Sequence, residues 1–242
     1  VEAPYIAAIL KEWDIYKCQF QDVPMITELH LGGGTPTFFS PANLEKLISG
    51  ILAGCIIKNP DFSIEVHPNF TTKEHLQVLS TFRFSRISIG VQDFDHVVQK
   101  AINRIQTFEK TKEVADIARA LGFKSVNTDI IYGLPFQTIE SIRLTINYVK
   151  ELRPERIAFY SYAHVPWKSK AQRRYCEADL PAATEKRALY ESGRVMLEEA
   201  GYKEIGMDHF ALVRDELFTA YNQGKLHRNF MGYTTQQTKL LI

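Results

Sequence analysis

The sequence predicts an α/β protein of parallel strands joined by helical crossovers, with a (β/α) barrel favoured over a doubly wound sheet. Three observations carry this. Short apolar runs alternate with helical patterns, and the connections between them are short. Five strand–helix units follow one another with no obvious reversal of order, which is the regularity a barrel needs. Several strands also carry a polar residue near the C-terminal end, where core strands of a parallel sheet should read almost wholly apolar.

The elements follow in order. Pro4 to Tyr16 reads as a helix, with Pro4 in its first turn and Ile6, Ile9, Leu10 and Trp13 on one face. Ile26 to Leu31 is the first strand. Ser40 caps a helix to about Ile56, with Leu44, Leu47, Ile48 and Ile51 on its buried face. Phe62 to Val66 is the second strand, stopped by His67-Pro68. Thr72 opens a helix to about Thr81, and Arg86 to Gln92 is the third strand. A helix over about Thr107 to Leu121 ends at Gly122, and Val126 to Tyr132 is the fourth strand. Thr138 caps a helix to Leu152, and Arg156 to Tyr160 is the fifth strand. The pattern closes with a helix over about Ala182 to Ala200 and a strand over Tyr202 to Met207.

Composition bounds the function. With 242 residues, 45% of them hydrophobic, the chain can bury one or two cores. A net charge of +1 argues against nucleic-acid binding by bulk charge, while leaving room for a local basic pocket. No run of eighteen apolar residues and no signal peptide is present, so a soluble, cytoplasmic protein without a membrane span is expected. Cys18, Cys55 and Cys176 are too widely spaced for a disulfide framework or a CxxC metal site, and are expected to be buried thiols in a reducing cytosol. The chain opens Val1-Glu2-Ala3 without an initiator Met. It ends Thr238-Lys239-Leu240-Leu241-Ile242 in an apolar run without a stop signal. A fragment of a longer protein is expected.

The strongest local signal is Leu29-His30-Leu31-Gly32-Gly33-Gly34-Thr35-Pro36-Thr37. A strand runs into three glycines and then a helical pattern, the kind of junction at which α/β proteins hold small ligands. The dinucleotide fingerprint fails because Thr37 stands where it needs glycine, and the P-loop fails because Thr35-Pro36 replaces Gly-Lys-Ser/Thr. Close approach of another ligand, or only a tight turn, remains. The strand-end polar residues are Glu65 (on a face with Ser63), Gln92, Asn127 with Asp129, and Tyr160, Tyr162 and His164. On a β/α barrel they would converge on the catalytic rim. Taken singly, each can equally cap a helix or pair with Lys or Arg. No HExxH and no Ser/His/Asp order stands out.

Gly32-Gly33-Gly34-Thr35-Pro36-Thr37 resembles the glycine-rich motif of radical S-adenosylmethionine (SAM) enzymes. Further segments narrow the resemblance. They are Ser63-Ile64-Glu65-Val66, Gly90-Val91-Gln92-Asp93-Phe94, Asn103-Arg104, the run Asp129 to Pro135, Tyr162-Ala163-His164, the run Gly206 to Ala211 and the run His227 to Gln236. With these the chain resembles the oxygen-independent coproporphyrinogen III oxidases (coproporphyrinogen dehydrogenases, HemN type). The resemblance implies a partial (β/α) barrel of the radical SAM type, truncated at both ends. Residues 1–205 would form the barrel, and 206–242 would begin a C-terminal substrate-covering region. It implies SAM and a 4Fe–4S cluster as cofactors, coproporphyrinogen III as substrate, an electron donor, an electron acceptor and a monomer. The implied reaction is haem-biosynthetic. A 5′-deoxyadenosyl radical from SAM takes hydrogen from the β-carbon of a propionate, and loss of CO₂ and an electron leaves a vinyl group. Two propionates react, giving protoporphyrinogen IX.

By the same resemblance Gly33, Gly34 and Thr35 would contact the methionine end of SAM. Glu65, Gln92, Arg104, Asp129 and Ala163 would line two SAM sites, and His209 and Arg228 would face the substrate's propionates. The family's cluster-binding CxxxCxxC loop is not among these residues, so no metal ligand is assigned in this chain. Ile105 stands where the family's pattern has Glu. The 242 residues alone are expected to be inactive. Two other readings are a haem chaperone of the HemW type and a non-catalytic SAM-binding barrel.

Overall fold

Local chemistry sets the helix starts. Thr72 and Thr138 each accept a backbone N–H from three residues on, and the side chains of His75 and Ser141 reach back to close capping boxes. Ser40 accepts from the Asn43 N–H just ahead of Pro41. The structure is a computed structural model that describes residues 2–229, 232–235 and 240–242. Val1, Phe230, Met231, Gln236, Thr238 and Lys239, singled out in the sequence, lie outside the described residues.

The chain opens with α1 (Glu2–Lys17), β1 (Met25–Leu31), α2 (Pro41–Leu52) and β2 (Ile56–Val66). It continues through α3 (Lys73–Thr81), β3 (Phe84–Gln92), α4 (His96–Ala101), α5 (Phe108–Ala120) and β4 (Ser125–Tyr132). Next are α6 (Ile139–Leu152), β5 (Arg156–Ser161), α7 (Ala183–Glu199), β6 (Tyr202–Gly206) and β7 (His209–Leu212). Last come α8 (Glu216–Asn222), β8 (His227–Asn229) and β9 (Gly232–Thr234).

Two compact units divide the chain: residues 1–89 with 113–126, and 90–112 with 127–242. In the first, β1, β2 and β3 pair in parallel. Phe62, Ile64, Ile87 and Ile89 on these strands are buried, as are Leu44, Ile48, Leu76 and Leu79 of α2 and α3. In the second, β4 and β5 are parallel, and β7 lies antiparallel to both β5 and β6. Its buried side chains include Ile130, Ile146, Phe159, Leu197 and Phe210. β8 and β9 form a separate hairpin.

Four expectations are corrected. First, α2 stops at Leu52 and β2 starts at Ile56, where the sequence reading ran the helix to about Ile56 and began the strand at Phe62. Ile56 and Ile57 are apolar enough to extend either pattern. β2 also carries extra residues around Asn59 (φ 44°) and Pro60, which shift its register on β1 and hide the strand. Second, α4 was not foreseen; Asp95 caps it by accepting from the Val97 and Val98 N–H groups. Third, the antiparallel strand β7, which lies beyond the five strand–helix units, was not foreseen. Met207 (φ 39°) and Asp208 (φ 64°) make a two-residue turn of the kind that joins antiparallel strands, so β7 runs back along β5. The expected boundary at 205/206 falls inside β6. Fourth, Cys18 and Cys176 are exposed and Cys55 is half-buried, so the thiols are not core residues.

Helix α7 comes close to β5. A Cβ on Gly193 would lie 2.6 Å from the Phe159 ring, and Phe159 is fully buried. Gly193→Ala is therefore expected to lose about 1–3 kcal/mol in urea denaturation despite alanine's better helix propensity. An unchanged or raised midpoint would show that α7 can shift outward.

Candidate functional site

In the first unit the site is built on the C-terminal ends of β1 and β2. His30 and Ser63 face each other across the parallel register. His30 Nδ1 is 2.8 Å from Ser63 Oγ, and His30 Nε2 is 3.5 Å from Glu65 Oε1. Glu65 Oε2 accepts the Gly33 N–H at 3.2 Å. The hydrogen bond from His30, helped by the one from Gly33, holds the Glu65 carboxyl below the ordinary glutamate range against the opposing effect of burial. Gly32 is tied to this pair, because a Cβ there would sit 2.6 Å from His30 Nε2 and 3.1 Å from Glu65 Cδ. Gly33 (φ +75°) and Gly34 (φ +71°) are exposed with open space above them, and Thr35 follows half-buried. The result is an ionised carboxylate beside exposed backbone, open to a cationic or hydroxyl-bearing ligand.

In the second unit the site is built on the ends of β3 and β4. Gln92 takes φ +67°, unusual for a residue other than glycine. Arg104 Nη2 donates to the Gly90 carbonyl at 2.7 Å. A Cβ on Gly90 would meet Arg104 Nη2 at 2.7 Å and Gln92 Nε2 at 3.1 Å, so both polar ends lie over one glycine. Asn127 Nδ2 donates to Asp129 Oδ1 at 2.8 Å. Burial lowers the Arg104 pKa, and the nearby Asp129 carboxylate partly opposes this. Arg104 Nε is buried without a partner. A buried guanidinium N–H left unpaired suits a carboxylate-bearing ligand. Ala163 follows β5 and is exposed, and its carbonyl accepts from Gln172 Nε2.

A separate cluster in the same unit holds His209 and Arg228. His209 Nδ1 donates to the Met207 carbonyl at 2.8 Å, which leaves Nε2 to accept the Tyr160 hydroxyl at 3.3 Å. Burial lowers the His209 pKa. The lowered pKa favours the neutral imidazole, in the tautomer that these two bonds require. Arg228 lies over the Tyr233 ring, 5.7 Å from its centroid, and is the exposed cation of the group. A cavity of about 510 Å³ beside the start of α6, lined by Phe136, Leu180, Pro181 and Leu189 among others, includes none of the predicted site residues.

The sequence reading placed Tyr160 on the strand-end rim but did not assign His30 or Tyr233 to a site. Only His30 carried a signal: it alternates with Leu29 and Leu31, which puts it on the face that Ser63 and Glu65 share. Among the described residues no group of three His, Cys, Asp or Glu side chains is arranged to hold a metal ion. Taken unit by unit, Glu65 suits an amine or hydroxyl and Arg104 a carboxylate, groups that SAM bears. The groups present do not fit an iron–sulfur cluster, which needs three thiolates brought together.

Residues 15–149 match the model of the radical SAM superfamily, and the chain belongs to that superfamily. Within it, the chain is 45% identical over 235 residues to the oxygen-independent coproporphyrinogen III oxidase of Helicobacter pylori, spanning 96% of this chain and 51% of that protein. It is 42% identical over 236 residues to the enzyme of the same name from Pseudomonas aeruginosa, with the same coverage. The solved structure of coproporphyrinogen III oxidase (HemN) from Escherichia coli, described as a radical SAM enzyme, superposes with a TM-score of 0.92 at 39% identity. That superposition covers 97% of this chain and 54% of the other. The expected partial (β/α) barrel of the radical SAM type is thus the fold of this chain, which spans about half the length of the curated relatives it matches.

The Glu65 environment yields a pH signature. Its native pKa lies below the unfolded value, so the stability it lends is present above about pH 4.5 and is lost as pH falls through the native pKa. His30→Ala should raise the Glu65 titration midpoint in carboxylate ¹³C NMR and shrink that loss. An unchanged midpoint would mean that Gly33 alone holds the carboxylate.

Proposed function

We propose that the protein to which this chain belongs oxidatively decarboxylates two propionates of coproporphyrinogen III to vinyl groups, giving protoporphyrinogen IX in haem biosynthesis. The observation that carries this is the 45% identity to an oxygen-independent coproporphyrinogen III oxidase along 96% of the chain, with polar groups clustered at the strand ends. SAM, when bound, supplies the group that abstracts hydrogen from the propionate β-carbon. Loss of CO₂ and one electron from the same side chain then completes the vinyl group.

The chain's own residues bind and orient. The open backbone at Gly33 and Gly34, with Thr35, receives the amino-acid end of SAM. Glu65, kept ionised, accepts from an ammonium or a hydroxyl. Arg104 offers its unpaired Nε–H to a carboxylate, while Gln92, Asp129 and Ala163 line the remainder of the SAM sites. Arg228 pairs with a substrate propionate. His209, neutral, offers that substrate no charge; its part is to hold Tyr160 in place. Residues 206–242 begin the region that covers the substrate. The cluster's three thiolates come from residues outside this chain. The working protein is a cytoplasmic monomer served by an electron donor and an electron acceptor.

Full-length protein, reconstituted anaerobically and given coproporphyrinogen III, SAM and a reductant, is expected to release CO₂ and form protoporphyrinogen IX. The 242-residue chain treated in the same way is expected to do neither. Haem binding without decarboxylation by the full-length protein would favour a haem chaperone instead.

A further inference from the structure

Five buried polar side chains converge just behind the site of the second unit, and none belongs to the residues proposed to touch SAM. They are Asp93, Gln99, Gln106, Gln137 and Thr145, each between 0% and 6% exposed. Asp93 is the hub. Its Oδ1 accepts from Thr145 Oγ1 at 2.7 Å and from the Asp95 N–H at 2.7 Å, and its Oδ2 accepts from Gln137 Nε2 at 2.6 Å. Thr145 Oγ1 also accepts the Phe94 N–H at 2.9 Å. Gln137 spans to the loop after β4, donating to the Ile131 carbonyl and accepting the Gly133 and Leu134 N–H groups. Gln99 donates to the Asp93 and Gln106 carbonyls. Gln106 donates to the Gly90 and Val91 carbonyls at 3.2 and 2.6 Å.

The targets of these bonds fall around Gln92. The carbonyls of Gly90, Val91 and Asp93 and the N–H of Phe94 are all held by buried side chains, so Gln92 is left at φ +67° between fixed neighbours. The same Gly90 carbonyl receives Arg104 Nη2, and the Gln106 N–H is fixed by Gln99 Oε1, which anchors the chain two residues beyond Arg104. Stability alone is a poor account of the arrangement. It buries a carboxyl, keeps a non-glycine residue in the left-handed region and leaves Gln106 Oε1 unpaired in the interior.

We propose that Asp93 and Thr145 are positioning residues for SAM: they act through the backbone to aim the Gln92 and Arg104 side chains. The inference rests on the reading that those two side chains meet SAM. Substitution far from the ligand, on α6, should then change ligand affinity. Thr145→Val keeps the shape but removes both the donor to Asp93 and the acceptor for Phe94.

The test is isothermal titration of SAM into the full-length, cluster-loaded protein, well below the thermal midpoint of every variant. Thr145→Val is expected to raise the SAM Kd by about tenfold or more, and Thr145→Ser, which keeps the hydroxyl, to restore most of the affinity. Gln106→Leu, which removes one bond from each of the Gly90 and Val91 carbonyls without touching the Asp93 carboxyl, should weaken binding as well and serves if the valine variant does not fold. A lower thermal midpoint with unchanged Kd in the folded variants would overturn the proposal and make the network purely structural. Gln92→Ala and Arg104→Ala are measured beside them. Unchanged Kd in those two would overturn the SAM reading itself. Weakened binding there with normal binding in the Thr145 and Gln106 variants would defeat only this inference.

Discussion

One buried carboxyl, that of Asp93, ties together three separate stretches of the second unit through the Asp95 N–H, Thr145 and Gln137. It is fully buried, and burial pushes its pKa up to about 6 even though three hydrogen bonds favour the charged form. Those bonds join the end of β3 to α6 and, through Gln137, to the loop after β4. A charged group in the interior is costly unless every lone pair is engaged. Gln137, Thr145 and the Asp95 N–H supply three of the bonds that offset this cost. In doing so they fix the end of β3, where Gln92 sits and over which Arg104 reaches from beyond α4.

Each unit presents its own polar group at a strand end. In the first, His30 and Gly33 keep Glu65 anionic beside an open glycine turn. In the second, Arg104 is partly desolvated, with one N–H unpaired and Asp129 near enough to favour its charge. Glu65 can accept from an amine, and Arg104 can donate to a carboxylate. Neither group by itself selects a tetrapyrrole, the substrate proposed above. That part of the reading leans on similarity to the named oxidases and on the Tyr160, His209, Arg228 and Tyr233 cluster.

Much of this was legible in the sequence, and the reasons are local. Thr72, Thr138 and Ser40 announced their helices because capping is a matter of three or four residues. Glu65, Gln92 and Asp129 stood out because parallel core strands have no other use for charge and amide groups. The missed features depend on partners distant in the chain. Whether Ile56 and Ile57 are helix or strand is decided by pairing with β1, which apolar periodicity cannot reveal. The reversal at β7 rests on Met207 and Asp208 adopting positive φ, a conformation neither residue advertises, held in part by the Phe159 N–H bonding to the Asp208 carbonyl. The role of Asp93 was hidden because Thr145 and Gln137 lie on other elements. The neutrality of His209 was hidden because it follows from burial and from a carbonyl two residues away.

The central claim is that the strand-end residues of this chain receive SAM. Hydrogen–deuterium exchange of the full-length protein with and without SAM tests it most directly. Residues 32–35 and 90–93 are expected to exchange more slowly when SAM is bound, because the ligand would cover the first segment and stiffen the second. SAM binding that leaves both segments unprotected, with protection confined elsewhere, would contradict the account.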